Sequence, residues 1–408
     1  MSIDLSDRAS ETRSATRAKP RAAAKLQQLL ERTAVGADVS EDLKATVELD
    51  AGGDLVWVTT LADGRATVTP GRAAKATVRI ITDPPTLTAV ADGTVSGVDA
   101  FLEGRLRTRG NLGLALRLGS ILHPEGRPDT WPRWGRVRAG DLSTSYLEAG
   151  RGFPVILLHG LGATNASFLP TLSNLSPDYR VIAPDLPGFG DSSKPFRAYN
   201  AEFFGRWLRE FLDALGIERA HLIGNSMGGR VAIEGGLEAP DRIDRLALLA
   251  PSPAFLRHRN FVKVVRVLRP ELGAIPIPIS RRQVVRGIRS IFSRPARLPM
   301  GWYEAAADEF VRVFGSPRAR VAFFSAAREI YLEEPHGDSG FWDRLPSMTR
   351  PALFIWGERD WLVPARFARH VTMALPRATS VVLEDCGHVP QFELPDRTHA
   401  LVRDFLAS

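Results

Sequence analysis

The sequence predicts an α/β protein: a doubly wound, mainly parallel sheet with a helical insertion over one edge, preceded by a small α+β domain. Three observations lead there. From Arg136 onward, short Val/Ile/Leu runs alternate with helical patterns, as in βαβ units whose strands are covered on both faces. Ahead of that point lie shorter β-type runs separated by Gly-Gly and Asp-Gly turns, which build a separate small sheet. The length of 408 residues, with 44% hydrophobic and 24% charged, is a globular composition sufficient for two or three domains.

Residues 1–20 are polar and charged without apolar periodicity and read as a disordered tail. The first domain is expected over 21–122. Leu26, Leu29 and Leu30 mark a helix stopped near Gly36. Strand-like runs follow at Ala45 to Leu49, Leu55 to Thr60, Ala66 to Thr69 and Ala76 to Ile81, punctuated by Gly52-Gly53 and Asp63-Gly64. Helical patterns around Leu87 and Val90 and from Phe101 to Leu122 complete it. The proline-rich, polar residues 123–134 form a linker. The second domain spans 135–408, with strands at Pro154 to Leu158, Val181 to Ala183, His221 to Gly224, Leu246 to Leu249, Ala352 to Trp356 and Ser380 to Leu383. Between the fourth and fifth of these the chain is helical and proline-rich, which places a cap at about 252–346 over the loop face of the sheet.

Charge is concentrated in that insertion. Eleven Lys and Arg and one acid, Glu271, lie between Pro251 and Met300, a local net charge of +10; the whole chain carries +7, so the remainder sums to −3. No interleaved aromatics or Cys/His zinc spacing accompany it, so nucleic acid is not the expected partner. Two amphipathic helices are expected here. Phe261, Val264, Val265 and Leu268 oppose Arg259, Lys263 and Arg266; Val284, Val285, Ile288, Ile291 and Phe292 oppose Arg282, Arg286 and Arg289. Their apolar faces are read as packing over the site, or else their cationic faces as a peripheral contact with an anionic membrane or an acidic acyl carrier. One cysteine, Cys386, excludes an intrachain disulfide, and with no apolar leader or membrane-length run the expected location is cytoplasmic.

The chemistry gathers on the carboxyl edge of the predicted sheet. After His221 to Gly224 comes Gly224-Asn225-Ser226-Met227-Gly228, a Gly-x-Ser-x-Gly turn between strand and helix that pushes a serine hydroxyl out of the sheet. A serine needs a histidine to take its proton and a carboxylate to orient that histidine. Asp360, in Gly357-Glu358-Arg359-Asp360, and His388, in Cys386-Gly387-His388, each follow a strand on that edge. Two backbone donors for an oxyanion are assigned to the amides of Met227 and of Leu161, the latter within His159-Gly160-Leu161-Gly162. His159 is read as a strand-end packing residue and Cys386 as a bystander. No cofactor or metal is called for.

With these motifs, together with Asp185-Leu186-Pro187-Gly188-Phe189-Gly190-Asp191-Ser192 and Glu393-Leu394-Pro395, residues 135–408 resemble the α/β-hydrolase family. The resemblance implies hydrolysis of an ester, thioester, amide or carbon-carbon bond through Ser226, His388 and Asp360. The segment Asp92-Gly93, Ala100 to Arg107 and Gly110 to Ala115 resembles the sterol carrier protein family, implying an apolar ligand for the first domain. The leading reading is a serine hydrolase of a small-molecule, lipid-like ester or thioester. A cofactor-free carbon-carbon bond hydrolase of ring-cleavage products and a lipid carrier with an inactive hydrolase fold are the alternatives.

Overall fold

The computed structural model describes residues 23–123, 126, 128–253, 267 and 269–408. The residues assigned to the first of the two amphipathic helices, Arg259, Phe261, Lys263, Val264, Val265, Arg266 and Leu268, lie outside them. The chain divides into two compact units, Met1–Arg127 and Pro128–Ser408.

In the first unit, helix α1 (residues 23–35) precedes β1 (Ala45–Asp50), β2 (Val56–Ala62), β3 (Arg65–Pro70) and β4 (Val78–Ile81). Asp63 and Gly64 both adopt positive φ, 51° and 72°, as a two-residue hairpin between twisted strands requires. Helices α2 (Pro84–Ala91) and α3 (Gly97–Leu102) then lead to a departure from expectation: the stretch from Phe101 to Leu122 is not one helix. Strand β5 (Arg107–Gly110) interrupts it, pairing antiparallel with β4, before α4 (Leu112–Leu122) starts at the Asn111 cap. Four polar and small residues carry no apolar alternation, so periodicity could not reveal the strand. Gly110, at φ 92°, closes the turn because a Cβ there would lie 2.6 Å from the Thr77 carbonyl oxygen. The sheet order is β3-β2-β1-β4-β5.

The second unit is built on an eight-stranded sheet, a mainly parallel one as expected. The antiparallel pair β6 (Arg133–Ala139) and β7 (Leu142–Ala149) forms one edge. The segment read as a linker is partly built into this unit, since the Asp129 carbonyl accepts the Gly150 N–H at 2.7 Å and β6 begins at Arg133. Strands β8 (Pro154–Leu158), β9 (Arg180–Pro184), β10 (Ala220–Asn225), β11 (Ile243–Leu249), β12 (Ala352–Gly357) and β13 (Thr379–Leu383) give the order β13-β12-β11-β10-β8-β9-β7-β6. The chain order reverses between β8 and β10, whose carboxyl ends pair at Leu158 and Gly224, so the connections leaving them part at the place where open α/β sheets bind ligands. Helix α5 (Leu169–Leu175) connects β8 to β9, and α6 (Ala201–Ala214) buries Phe203, Phe204, Trp207, Phe211 and Leu212 against one face. Helix α7 (Met227–Glu238) is buried through ten of its residues. Between β11 and β12 lie the cap helices Arg281–Ser290, Met300–Phe314, Pro317–Leu332 and Phe341–Arg344.

Candidate active site

Ser226 stands alone at the junction of β10 and α7, with φ 56° and ψ −118°, a backbone region that costs a non-glycine residue on the order of 1–3 kcal/mol. The strain is held by surrounding bonds. Its N–H donates to the Leu249 carbonyl at 3.0 Å, and its own carbonyl accepts from Arg230 at 3.1 Å and Ser252 at 2.9 Å. The flanking glycines are sterically required: a Cβ at Gly224 would collide with the Gly228 carbonyl, and one at Gly228 with the Leu158 carbonyl. Consequently Ser226 is partly exposed while both its neighbours are buried.

The loops after β12 and β13 bring Asp360 and His388 together, both buried. His388 Nδ1 lies 2.7 Å from Asp360 Oδ2; a carboxylate oxygen only accepts, so Nδ1 carries the proton and Nε2 is left as the acceptor. The other carboxylate oxygen, Oδ1, accepts the Leu362 N–H at 2.8 Å and the Val363 N–H at 2.9 Å. This histidine loop is tied to the serine turn: Asn225 Nδ2 donates to the His388 carbonyl at 3.1 Å and to the Leu249 carbonyl at 2.9 Å.

The turn after β8 supplies the third side. A Cβ at Gly160 would lie 3.3 Å from that of Ser226, so the chain from His159 to Gly162 runs beside the serine. Met227 is the first residue of α7, where N–H groups have no partner within the helix and favour a developing anion. His159 is fully buried; Nδ1 lies 2.8 Å from the Gly160 carbonyl oxygen and Nε2 accepts the Leu186 N–H at 2.9 Å. Burial pushes its pKa down to about 4, so the ring is a neutral bridge between two loops. Burial also raises the Cys386 thiol to about 12, far from a thiolate nucleophile. Asp385, the other acid near His388, is engaged by Arg294, Arg297 and Arg359 at 2.5, 2.8 and 2.6 Å.

Two supporting residues escape a reading from motif spacing. Asn225 looks like the variable position of its motif, yet it links the two loops. Glu393, buried, accepts the N–H of Gly387 and that of Arg294, each at 2.7 Å, and so fastens the histidine loop to the cap. Its appearance five residues after His388 was the available signal. From above, the cap presses aromatic rings on the third loop: a Cβ at Gly162 would lie 2.9 Å from Phe323 and 3.1 Å from Phe310. Among the described residues no cluster of metal-ligating side chains occurs.

Residues 155–401 match the alpha/beta hydrolase family, and residues 26–123 match the SCP-2 sterol transfer family. The chain is 30% identical over 289 residues to 2-hydroxymuconate semialdehyde hydrolase of Pseudomonas sp. strain CF600, covering 69% of this chain and 96% of that protein. Among solved structures, a bacterial membrane phospholipase A described as a virulence factor aligns with a TM-score of 0.59 at 25% identity, over 79% of this chain and 96% of its own. The 2-hydroxy-6-oxo-6-phenylhexa-2,4-dienoate hydrolase of Rhodococcus sp. strain RHA1 aligns with a TM-score of 0.58 at 27% identity, over 68% and 99%.

Proposed function

We propose that this chain, which belongs to the alpha/beta hydrolase family, is a serine hydrolase that cleaves an ester or thioester of an apolar acyl substrate. Ser226 is the nucleophile, His388 the general base and Asp360 its orienting carboxylate. Ser226 Oγ attacks the substrate carbonyl carbon while its proton passes to His388 Nε2. The oxyanion takes hydrogen bonds from the amides of Leu161 and Met227. Collapse of the tetrahedral intermediate expels the alcohol or thiol, which leaves with the proton from Nε2. Water, deprotonated by the same nitrogen, then attacks the acyl-enzyme carbonyl, and the acid departs as Ser226 recovers its proton.

The observation that carries this reading is a serine strained at φ 56° on the same sheet edge as a histidine bonded to a buried carboxylate at 2.7 Å. The apolar acyl group is argued from Phe310 and Phe323 against Gly162 and from the sterol-transfer match of residues 26–123, a domain we assign to binding the apolar chain. A second reading, carbon-carbon bond hydrolysis, is favoured by the identity to the semialdehyde hydrolase along nearly its whole length. The test is labelling with a serine-directed fluorophosphonate followed by mapping of the adduct. Modification of Ser226, abolished in Ser226→Ala, supports the nucleophile; labelling elsewhere refutes it. A panel of acyl esters, thioesters and vinylogous diketo acids then separates the two readings by kcat/KM.

A further inference from the structure

The cap carries an exposed apolar run that the described packing does not use. Leu272, Ile275 and Ile277 are 40%, 58% and 37% exposed, within the sequence Leu272-Gly273-Ala274-Ile275-Pro276-Ile277-Pro278-Ile279. The run is anchored at both ends. Buried Arg320 donates to the Gly273 carbonyl at 2.8 Å, and a Cβ on Gly273 would lie 2.5 Å from the Val321 nitrogen, so this end is seated on the helix Pro317–Leu332. At the other end, Ser280 and Gln283 form a capping box that starts the helix Arg281–Ser290. Isoleucines held out in water between two fixed points call for a partner.

Charge beside the run states which partner. Arg269, Arg282 and Arg286 are exposed, and no ion pair involving them occurs among the described residues. Arg282 and Arg286 stand at i and i+4, on one helix face. The neighbouring Arg281 is different, being paired with Asp308 and with Glu304 at 3.4 Å. One acid, Glu271, stands just ahead of the run and is exposed. Pro276 and Pro278 have no N–H, so this backbone brings two fewer unpaired donors into an apolar phase than an ordinary strand would. Apolar tips flanked by exposed guanidinium groups fit the boundary of an anionic bilayer, where hydrocarbon lies beneath negative headgroups.

The same helix reaches the site. Its last residue, Ser290, accepts from Trp361 Nε1 at 2.7 Å, and Trp361 follows Asp360; the next carbonyl, of Ile291, accepts the His388 N–H at 2.9 Å. Trp361 is 53% exposed and adds an aromatic of the kind that settles at headgroup level. We infer that the surface formed by Leu272, Ile275, Ile277, Arg269, Arg282, Arg286 and Trp361 docks the second unit on an anionic lipid surface, with the loops bearing Asp360 and His388 turned to that interface. The docking does not depend on which bond the site cleaves.

The test is co-sedimentation of the full chain with phosphatidylglycerol vesicles and with phosphatidylcholine vesicles, at low and high salt. The parent is expected to bind the anionic vesicles in a salt-sensitive way. At about 1 kcal/mol per basic residue, each arginine is worth about fivefold, so Arg269→Gln, Arg282→Gln and Arg286→Gln together lower binding by roughly a hundredfold. Ile275→Ser with Ile277→Ser lowers it while leaving the salt sensitivity in place. All five positions are exposed, and circular dichroism checks that both variants fold. Absence of parent binding at low salt overturns the inference, as does parent-like binding by both variants. Capture of an acidic acyl carrier by a chain that ignores the vesicles overturns it as well.

Discussion

Replacing Asp360 by Asn tests the proposed site most sharply, because the hydrogen bonds around the carboxylate dictate how the amide must sit. Oδ1 accepts two backbone N–H groups, from Leu362 and Val363, at 2.8 and 2.9 Å. An amide nitrogen cannot take that place without setting donors against donors, so the carbonyl oxygen of the substituted side chain stays there and its NH2 faces His388 Nδ1. That NH2 can only donate. The imidazole must therefore move its proton to Nε2, which can then no longer accept the hydroxyl proton of the proposed nucleophile. Loss of the tautomer, with the 2.7 Å contact otherwise preserved, predicts a fall in kcat of ~10⁴, about 5.5 kcal/mol of barrier. The assay is steady-state hydrolysis of a soluble short-chain ester, with the imidazole tautomer read by nitrogen NMR of labelled histidine. Asp385→Asn is the control, since that carboxylate is spent on Arg294, Arg297 and Arg359. A loss below about tenfold in Asp360→Asn, or a greater loss in Asp385→Asn, refutes the reasoning.

Ser226→Ala and His388→Ala are each expected to lower kcat by ~10⁶ with the fold intact, measured by ester hydrolysis and circular dichroism. Glu393→Gln retains one acceptor where two backbone N–H groups now find one each, so a loss of about 1–3 kcal/mol in stability is expected together with a lower kcat at similar KM. Stability should rise with pH between about 4 and 6.5. Burial depresses His159, His221 and His399 to about 4, so in that window the unfolded chain binds three protons that the native chain does not; Asp185, raised by burial to about 7, binds one in the native chain and opposes them. The histidines' stabilising contribution is complete above their unfolded pKa and lost as pH falls through about 4. Denaturant titrations across the window check the sign, and His399→Gln should flatten the slope.

What could be read from the chain was whatever a turn, a strand or a nucleophile must write in residue types. The two-glycine serine turn was legible because only glycine tolerates the Gly228 and Leu158 carbonyls that press on it. The continuous apolar runs of β8 and of Leu246 to Leu249 in β11 were legible because both their faces are covered. Strand β5 was not, because Arg107-Thr108-Arg109-Gly110 owes its conformation to the β4 edge it pairs with, and no local preference announces it. The antiparallel edge pair β6 and β7 was hidden for a similar reason: Arg133, Arg136 and Arg138 interrupt the apolar alternation of a strand at the sheet's end.

The histidine loop shows a deeper limit. Its placement depends on the Ile291 carbonyl, the Asn225 side chain and the Glu393 carboxylate, drawn from three parts of the chain. The first of these is a backbone group, identical in every residue, and no side-chain code marks it. The cap therefore does more than cover the site, for the segment after its basic helix bonds the residue proposed as general base. Any change that shifts the helix Arg281–Ser290 has a direct path to His388: Ile291 accepts the His388 N–H at 2.9 Å, and the Arg294 N–H donates to Glu393 at 2.7 Å. Such a path makes the insertion, whose charge pattern sets it apart from the rest of the sequence, the part of the molecule where surroundings and chemistry can be coupled.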